Sequence, residues 1–155
     1  MVQVHHDYYT AYIWASCRSK RAHLHEVALH CLSLVGCHSG AKDLSSKLKS
    51  LYLDENLLTR FECIIEDMIS GVCATAPFML GDIDLAGKLV LEGKRMPLAG
   101  YMLLWPLFVA RASSNKGSEM EAWINRRFEF IDSEMGIRYG RLIANKIKKE
   151  SWDLS

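Results

Sequence analysis

Residues Met96–Ala110, MPLAGYMLLWPLFVA, form an uncharged run of fifteen residues between Arg95 and Arg111. The run is too short for a membrane span, which takes about 20 apolar residues. It is apolar on every side, so as a helix it has to be wrapped by other helices. Pro106 lies inside it and lacks an amide hydrogen, which predicts a kink or a helix end near Leu104. Such a helix serves as a hub for the apolar stripes of amphipathic segments around it. The expected fold is therefore all-α: a multi-helix array around a central apolar, proline-kinked helix, in a single domain over residues 1–155.

Other segments supply those stripes. Asp7 to about Val35 reads as a long helix with Asp7 as N-cap. Its expected core stripe is Tyr9, Tyr12, Ile13, Cys17, Leu24, Val27, Ala28, Cys31, Leu34 and Val35. Arg18, Lys20 and Arg21 are expected to lie on a solvated face. Residues 41–53 carry a weaker pattern, with Leu44, Leu48 and Leu51 at helical steps. A stronger helix is expected from Glu55 to about Ala74, with Asp54 before it and Pro77 ending it. Its stripe is Leu57, Leu58, Phe61, Ile64, Ile65, Met68, Ile69 and Val72, with Glu62, Glu66 and Asp67 on the other side. Phe78 to Gly81 reads as a tight apolar turn. Residues 81–95 are irregular, with a short extended piece expected at Leu89–Val90–Leu91.

Beyond the hub, Ser118 and Glu121 match the S-x-x-E capping box. Met120, Trp123, Ile124, Arg127, Phe128, Ile131 and Met135 mark one face of the helix that follows. Gly136 is placed as its left-handed C-cap, with Ile137 folding back. Arg138–Glu150 reads as a closing basic helix with Ile143 and Ile147 as its ridge, and Trp152 is expected to tuck against the bundle.

The chemistry-bearing residues do not form motifs. The five cysteines, Cys17, Cys31, Cys37, Cys63 and Cys73, are odd in number and contain no C-x-x-C. That argues against a disulfide framework or a zinc finger and predicts small buried thiols in a reducing compartment. His5, His6, His23, His25, His30 and His38 do not fall one helical turn apart as metal ligands on a helix do. Asp82 and Asp84 do not continue into an EF-hand loop, and no glycine pattern fits a phosphate loop. No nucleophile elbow is present, and the carboxylates on the second long helix read as solvent-facing charge. No catalytic, cofactor-binding or metal-binding residue is assigned, and the chain is expected not to be an enzyme. The formal net charge of +1 gives no case for direct nucleic-acid contact. Trp14, Trp105, Trp123 and Trp152 are expected to pack in the core. His5, His6 and Asp7 stand where a signal sequence would need apolar residues.

Four stretches, in order, resemble the C-terminal part of the regulatory region of fungal binuclear-zinc-cluster transcription factors. IWASCRSKRAHLH, Ile13 to His25, resembles that family's tryptophan helix with two arginines three apart. IIEDMISGVCATAPFMLGD, Ile64 to Asp82, resembles its helix running into small residues, Pro-aromatic and Leu-Gly. GYMLLWPLFVA, Gly100 to Ala110, resembles its Leu-Trp-Pro-Leu helix. MEAWINRRFEFIDSEMGIRYGRLIANKI, Met120 to Ile147, resembles its closing helix pair joined at Met-Gly-Ile. Together they cover a little under half of the chain.

The resemblance implies an all-α array that controls a DNA-binding factor by ligand sensing, self-association or masking. The family's zinc-cluster module, with its six cysteines, has no counterpart here, so neither zinc nor DNA contact carries over to any residue. No basic linker or dimerising heptad run follows the start. The implied function is a transcription-associated helical domain acting through a protein partner, such as a related full-length factor, in the nucleus. The alternative is a stand-alone helical scaffold or interaction protein unrelated to transcription, in the cytoplasm. A truncated gene product, a stand-alone paralogue or a fragment would each fit. If upstream helices complete the family's fold, an uncovered apolar patch is expected along the first helix or the hub.

Overall fold

The computed structural model describes residues 2–37, 55–90 and 96–138. The expectations for residues 41–53, for Leu91, for the closing helix from 139 onward and for Trp152 lie outside them. Among the described residues the chain is all-α. Helix α1 spans Tyr8–Cys37, α2 Glu55–Met79, α3 Pro97–Ala112 and α4 Glu119–Met135. Helix α3 packs against all three others, and α1 lies along α2.

The core forms where large side chains of α2, α3 and α4 meet. Ile65, Ile69, Val72, Met79, Leu80, Leu103, Leu107, Ile124, Phe128 and Ile131 are buried in one cluster. Burying a side chain of this size stabilises by about 1.5–3 kcal/mol. Of the stripe expected on α2, Ile65, Ile69 and Val72 face this core, while Leu57, Leu58, Phe61, Ile64 and Met68 stay half-exposed. The stripe expected on α4 faces it, with Arg127 over the Trp123 ring at 4.9 Å.

Helix α3 begins with Met96 as N-cap and a proline in its first turn, where a missing amide hydrogen costs nothing. It does not end near Leu104. It runs past the fully buried Pro106 to Ala112. Nor is it wrapped on every side: Leu98, Tyr101 and Trp105 are 58%, 61% and 52% exposed. Among the described residues three helices pack against it, and one apolar ridge stays outside.

Helix α1 corrects the sequence reading more strongly. Asp7 does cap it, accepting from the Thr10 amide at 2.7 Å. Its inward face, however, consists of small residues: Ala11, Ala15, Ser16, Ser19 and Ala22 are buried. Most of the expected core stripe faces the other way. Tyr9, Ile13, Cys17, Leu24, Val27, Cys31 and Leu34 are exposed, while Tyr12 is half-buried against the core. The broad band of α2 needs a shallow partner, and a helix face of Ala and Ser lets the two backbones come close.

Pro77 does not end α2, which continues to Met79. The proline cannot donate to the carbonyl four residues back. The chain's own N-terminal strap brings a donor to this stretch: the Gln3 amide donates to the Ala74 carbonyl at 2.8 Å. The true stop is Gly81, at φ 78°. There Asp82 N donates to Pro77 O at 2.9 Å and Gly81 N to Phe78 O at 3.2 Å, the paired bonds of a Schellman end.

A tight loop follows, with an isolated antiparallel bridge between Ile83 and Leu89. Asp84 organises it by accepting from the amides of Ala86 and Lys88 at 2.9 and 2.8 Å. The caps of α4 stand where expected, although the box is closed on one side only, since Glu121 takes the Gly117 amide rather than that of Ser118. Ser118 Oγ accepts from Glu121 N at 3.1 Å, Gly136 takes φ 70°, and Ile137 N turns back to Ile131 O.

Candidate functional site

The strap before α1 lies against the α1–α2 groove and gathers the polar side chains there. Gln3 Oε1 accepts from Arg18 Nη1 at 2.7 Å and lies 3.4 Å from Thr75 Oγ1. The single Thr75 hydroxyl proton is donated to Gly71 O at 2.9 Å, and Oγ1 lies 3.3 Å from His5 Nε2. The His5 and Tyr8 rings both lie against Phe78, at 6.0 and 5.2 Å between centroids. Arg18 reaches this network because residue 71 is glycine. A Cβ there would stand 2.7 Å from Arg18 Nε. The guanidinium also lies 5.5 Å from the centre of the Trp14 ring.

Of the basic run, Lys20 and Arg21 are exposed as expected, whereas Arg18 turns inward and ties the strap down. Beside this network is an open cleft of about 310 Å³, lined by Trp14, Cys17, Arg18, Arg21, Asp67 and Gly71 among others. Burial, with the Arg18 charge second, holds the His5 pKa below its usual 6.5, against a smaller opposing effect of Asp7. Asp7 itself is held below the usual carboxylate value by the Thr10 amide and hydroxyl.

At the other end of the molecule, Arg111 is buried at the α3–α4 corner. It donates from Nε to Asn125 Oδ1 at 2.6 Å and from Nη2 to Glu121 Oε1 at 3.3 Å. The second Glu121 oxygen accepts from the Gly117 amide at 2.7 Å. In sequence Arg111 looks like a charge closing an apolar run. In the fold it is a buried strut, and only the position of α4 makes it so. Asp82 has a similar structural use, pairing with Arg127 at 2.7 Å.

These arrangements hold the fold together. Burial pushes the Cys73 thiol up to about 12, so it stays a protonated, unreactive core residue. Cys17, Cys31 and Cys63 are exposed free thiols, against the expectation that all the cysteines are buried. Among the described residues no group of three or more His, Cys, Asp or Glu side chains is placed to hold a metal ion. His25 stacks edge-on with Phe61, and His23 lies 3.7 Å from Glu26. Glu62 and Glu66, expected to face solvent, are exposed along an open cleft that they share with Glu26, Ser113 and Asn115.

What remains without a structural use is apolar surface. The α3 ridge carries Leu98, Tyr101 and Trp105 outward, with Phe108 stacked on Trp105 at 5.4 Å. The α1 ridge shows Tyr9, Ile13, Leu24 and Val27. Trp14 and Trp105, expected in the core, are 53% and 52% exposed. Uncovered apolar side chains thus occur along both the first helix and the hub. No described helix is long and apolar enough to cross a membrane.

No family model, curated protein or solved structure matches this chain.

Proposed function

We propose that this chain is a helical association domain that works in transcription regulation by binding a protein partner, without a DNA-binding module of its own. The observation that carries the association reading is the outward ridge of α3. A helix with no charge from Met96 to Ala110 leaves Leu98, Tyr101 and Trp105 more than half exposed. Aromatic side chains in an apolar patch are the usual anchors of protein interfaces. The transcriptional part rests on the ordered resemblance of four stretches to the fungal zinc-cluster regulators. The partner this favours is a related full-length factor, whose helical regulatory region would offer an apolar helix face to the ridge.

The test is affinity capture from fungal nuclear extract with the whole chain and with Trp105→Glu. Recovery of a zinc-cluster factor by the whole chain, lost in the variant, is the expected result. Recovery of no transcription-related protein overturns the transcriptional reading. Equal recovery by both chains overturns the role of the ridge. The alternative, a scaffold outside transcription, would show as a cytosol-only distribution and unchanged transcript levels on deletion of the gene.

A further inference from the structure

The exposed ridge of α1 has a spacing that names the shape of what covers it. Ile13, Cys17, Lys20, Leu24, Val27 and Cys31 follow one another by alternate steps of four and three, and all six are exposed. That is the a/d seam of a coiled coil, a pattern with a period of 3.5 residues that keeps one narrow stripe facing a partner helix. The heptad position diametrically behind the seam is Ala15, Ala22 and Leu29, which point into the body of the molecule. The helix therefore has two opposite working faces: one is spent on α2 and α3, the other on nothing in the described structure. Ile13, Cys17, Leu24, Val27 and Cys31 also belong to the core stripe read from the sequence and Lys20 to its solvated face, so only their shared exposure reveals the seam, against the expectation that no dimerising heptad run follows the start.

We propose that this seam pairs with its own counterpart in a second copy of the chain, the two α1 helices running antiparallel. The choice of occupant comes from the order of residues along the seam. In a parallel pair each residue meets itself, so Lys20 would face Lys20, and small thiols would face each other at Cys17 and Cys31. Read against its own reverse, the seam fits. Ile13 meets Cys31 of the second copy, Cys17 meets Val27, and Lys20 meets Leu24. Each cysteine then faces a branched side chain, and the lysine stem lies along a leucine with its ammonium group reaching water. The antiparallel arrangement satisfies the two-fold rule that if residue i touches j, then j touches i. It also sets the two helix dipoles head to tail. This association uses α1 and does not depend on the α3 ridge or on the transcriptional reading.

The experiment is sedimentation equilibrium on the whole chain at high micromolar concentration, with circular dichroism on every variant. The wild type is expected to be dimeric. Leu24→Glu is expected to be monomeric with unchanged helix content, because Leu24 is exposed and contributes nothing to the core. Lys20→Leu removes the one charge from the seam and is expected to tighten the dimer by about tenfold or more. Oxidation of Val27→Cys is expected to give a dimer cross-linked between Cys17 and position 27. A monomeric wild type overturns the proposal. So does a dimer that survives Leu24→Glu, or one that Trp105→Glu dissolves instead, and wild-type cross-links joining Cys17 to Cys17 overturn the antiparallel arrangement.

Discussion

Helices α1 and α3 solve the same packing problem in opposite ways. Helix α3 buries large side chains, with Leu103 and Leu107 wholly inside the core. Helix α1 buries Ala11, Ala15 and Ala22 and turns Ile13, Leu24 and Val27 outward. On α3 the apolar area removed from water does the stabilising. On α1 it is closeness, since short side chains bring the helix backbone within dispersion range of its neighbours. Apolar periodicity identifies a helix, but the inward face is chosen by the shape of the neighbour as well as by the size of its own residues.

The sharpest break of this comparison is truncation inside α3. Leu107→Ala is expected to cost about 2–5 kcal/mol, read by urea denaturation, because it leaves a cavity among large neighbours. A loss below about 1 kcal/mol would mean that α3 is not the principal source of buried area. The matching change on α1 is an enlargement. Ala15→Leu is expected to cost about 1–3 kcal/mol by overpacking, although it makes the helix more apolar. A neutral or stabilising result would show that the small face is not in close contact.

A third change probes how close α1 comes to α2. Gly71→Ala in an exposed helix would gain about 1 kcal/mol from helix propensity. Here the new methyl displaces Arg18 from its seat, so the gain is expected to vanish. The Gln3 amide, held on Ala74 at 2.8 Å, should then exchange its hydrogen faster. Unchanged exchange at Gln3 together with the full gain would contradict the close approach.

Acid supplies a smaller effect on the same strap. The folded His5 pKa lies below the usual 6.5, so the unfolded chain takes up the proton first. Stability is therefore complete above that value and is lost as pH falls from it toward the folded pKa. The melting temperature is expected to drop slightly on going from neutral to mildly acidic buffer, and His5→Gln should reduce the drop. The smallest expected effect is Leu24→Gln, within about 0.5 kcal/mol at concentrations where the chain is monomeric. A core-sized loss there would restore the stripe read from sequence.

Much of the architecture was legible because it is written in local chemistry. The band Ile65, Ile69 and Val72 announces the inward face of α2, since one stripe there is apolar and the opposite one is charged. Asp7, Ser118 and Gly136 announce helix ends, since each satisfies orphan backbone groups through its own side chain or its own φ. What was not legible depends on partners distant in sequence. Pro77 looks like a stop, yet α2 runs on to Met79, and Gln3, more than seventy residues earlier, donates to the Ala74 carbonyl in the turn before it. Arg111 looks like a charge closing an apolar run until α4 folds back with Glu121 and Asn125.

The candidate surfaces were less legible than the fold. Trp105 belongs to the most apolar stretch of the chain, which argues for burial, and it is exposed because it lies on the side of α3 that the other three described helices leave open. The seam of Ile13, Cys17, Leu24 and Cys31 reads equally well as core, and only the direction in which α1 faces tells the two apart. The sequence by itself determined that the chain is helical, where three of the four described helices begin, and which face of α2 and of α4 is apolar. The tertiary structure decided which face of α1 turns inward and which apolar ridges stay in water. Periodicity is a property of one helix, whereas burial belongs to the pair of surfaces that meet.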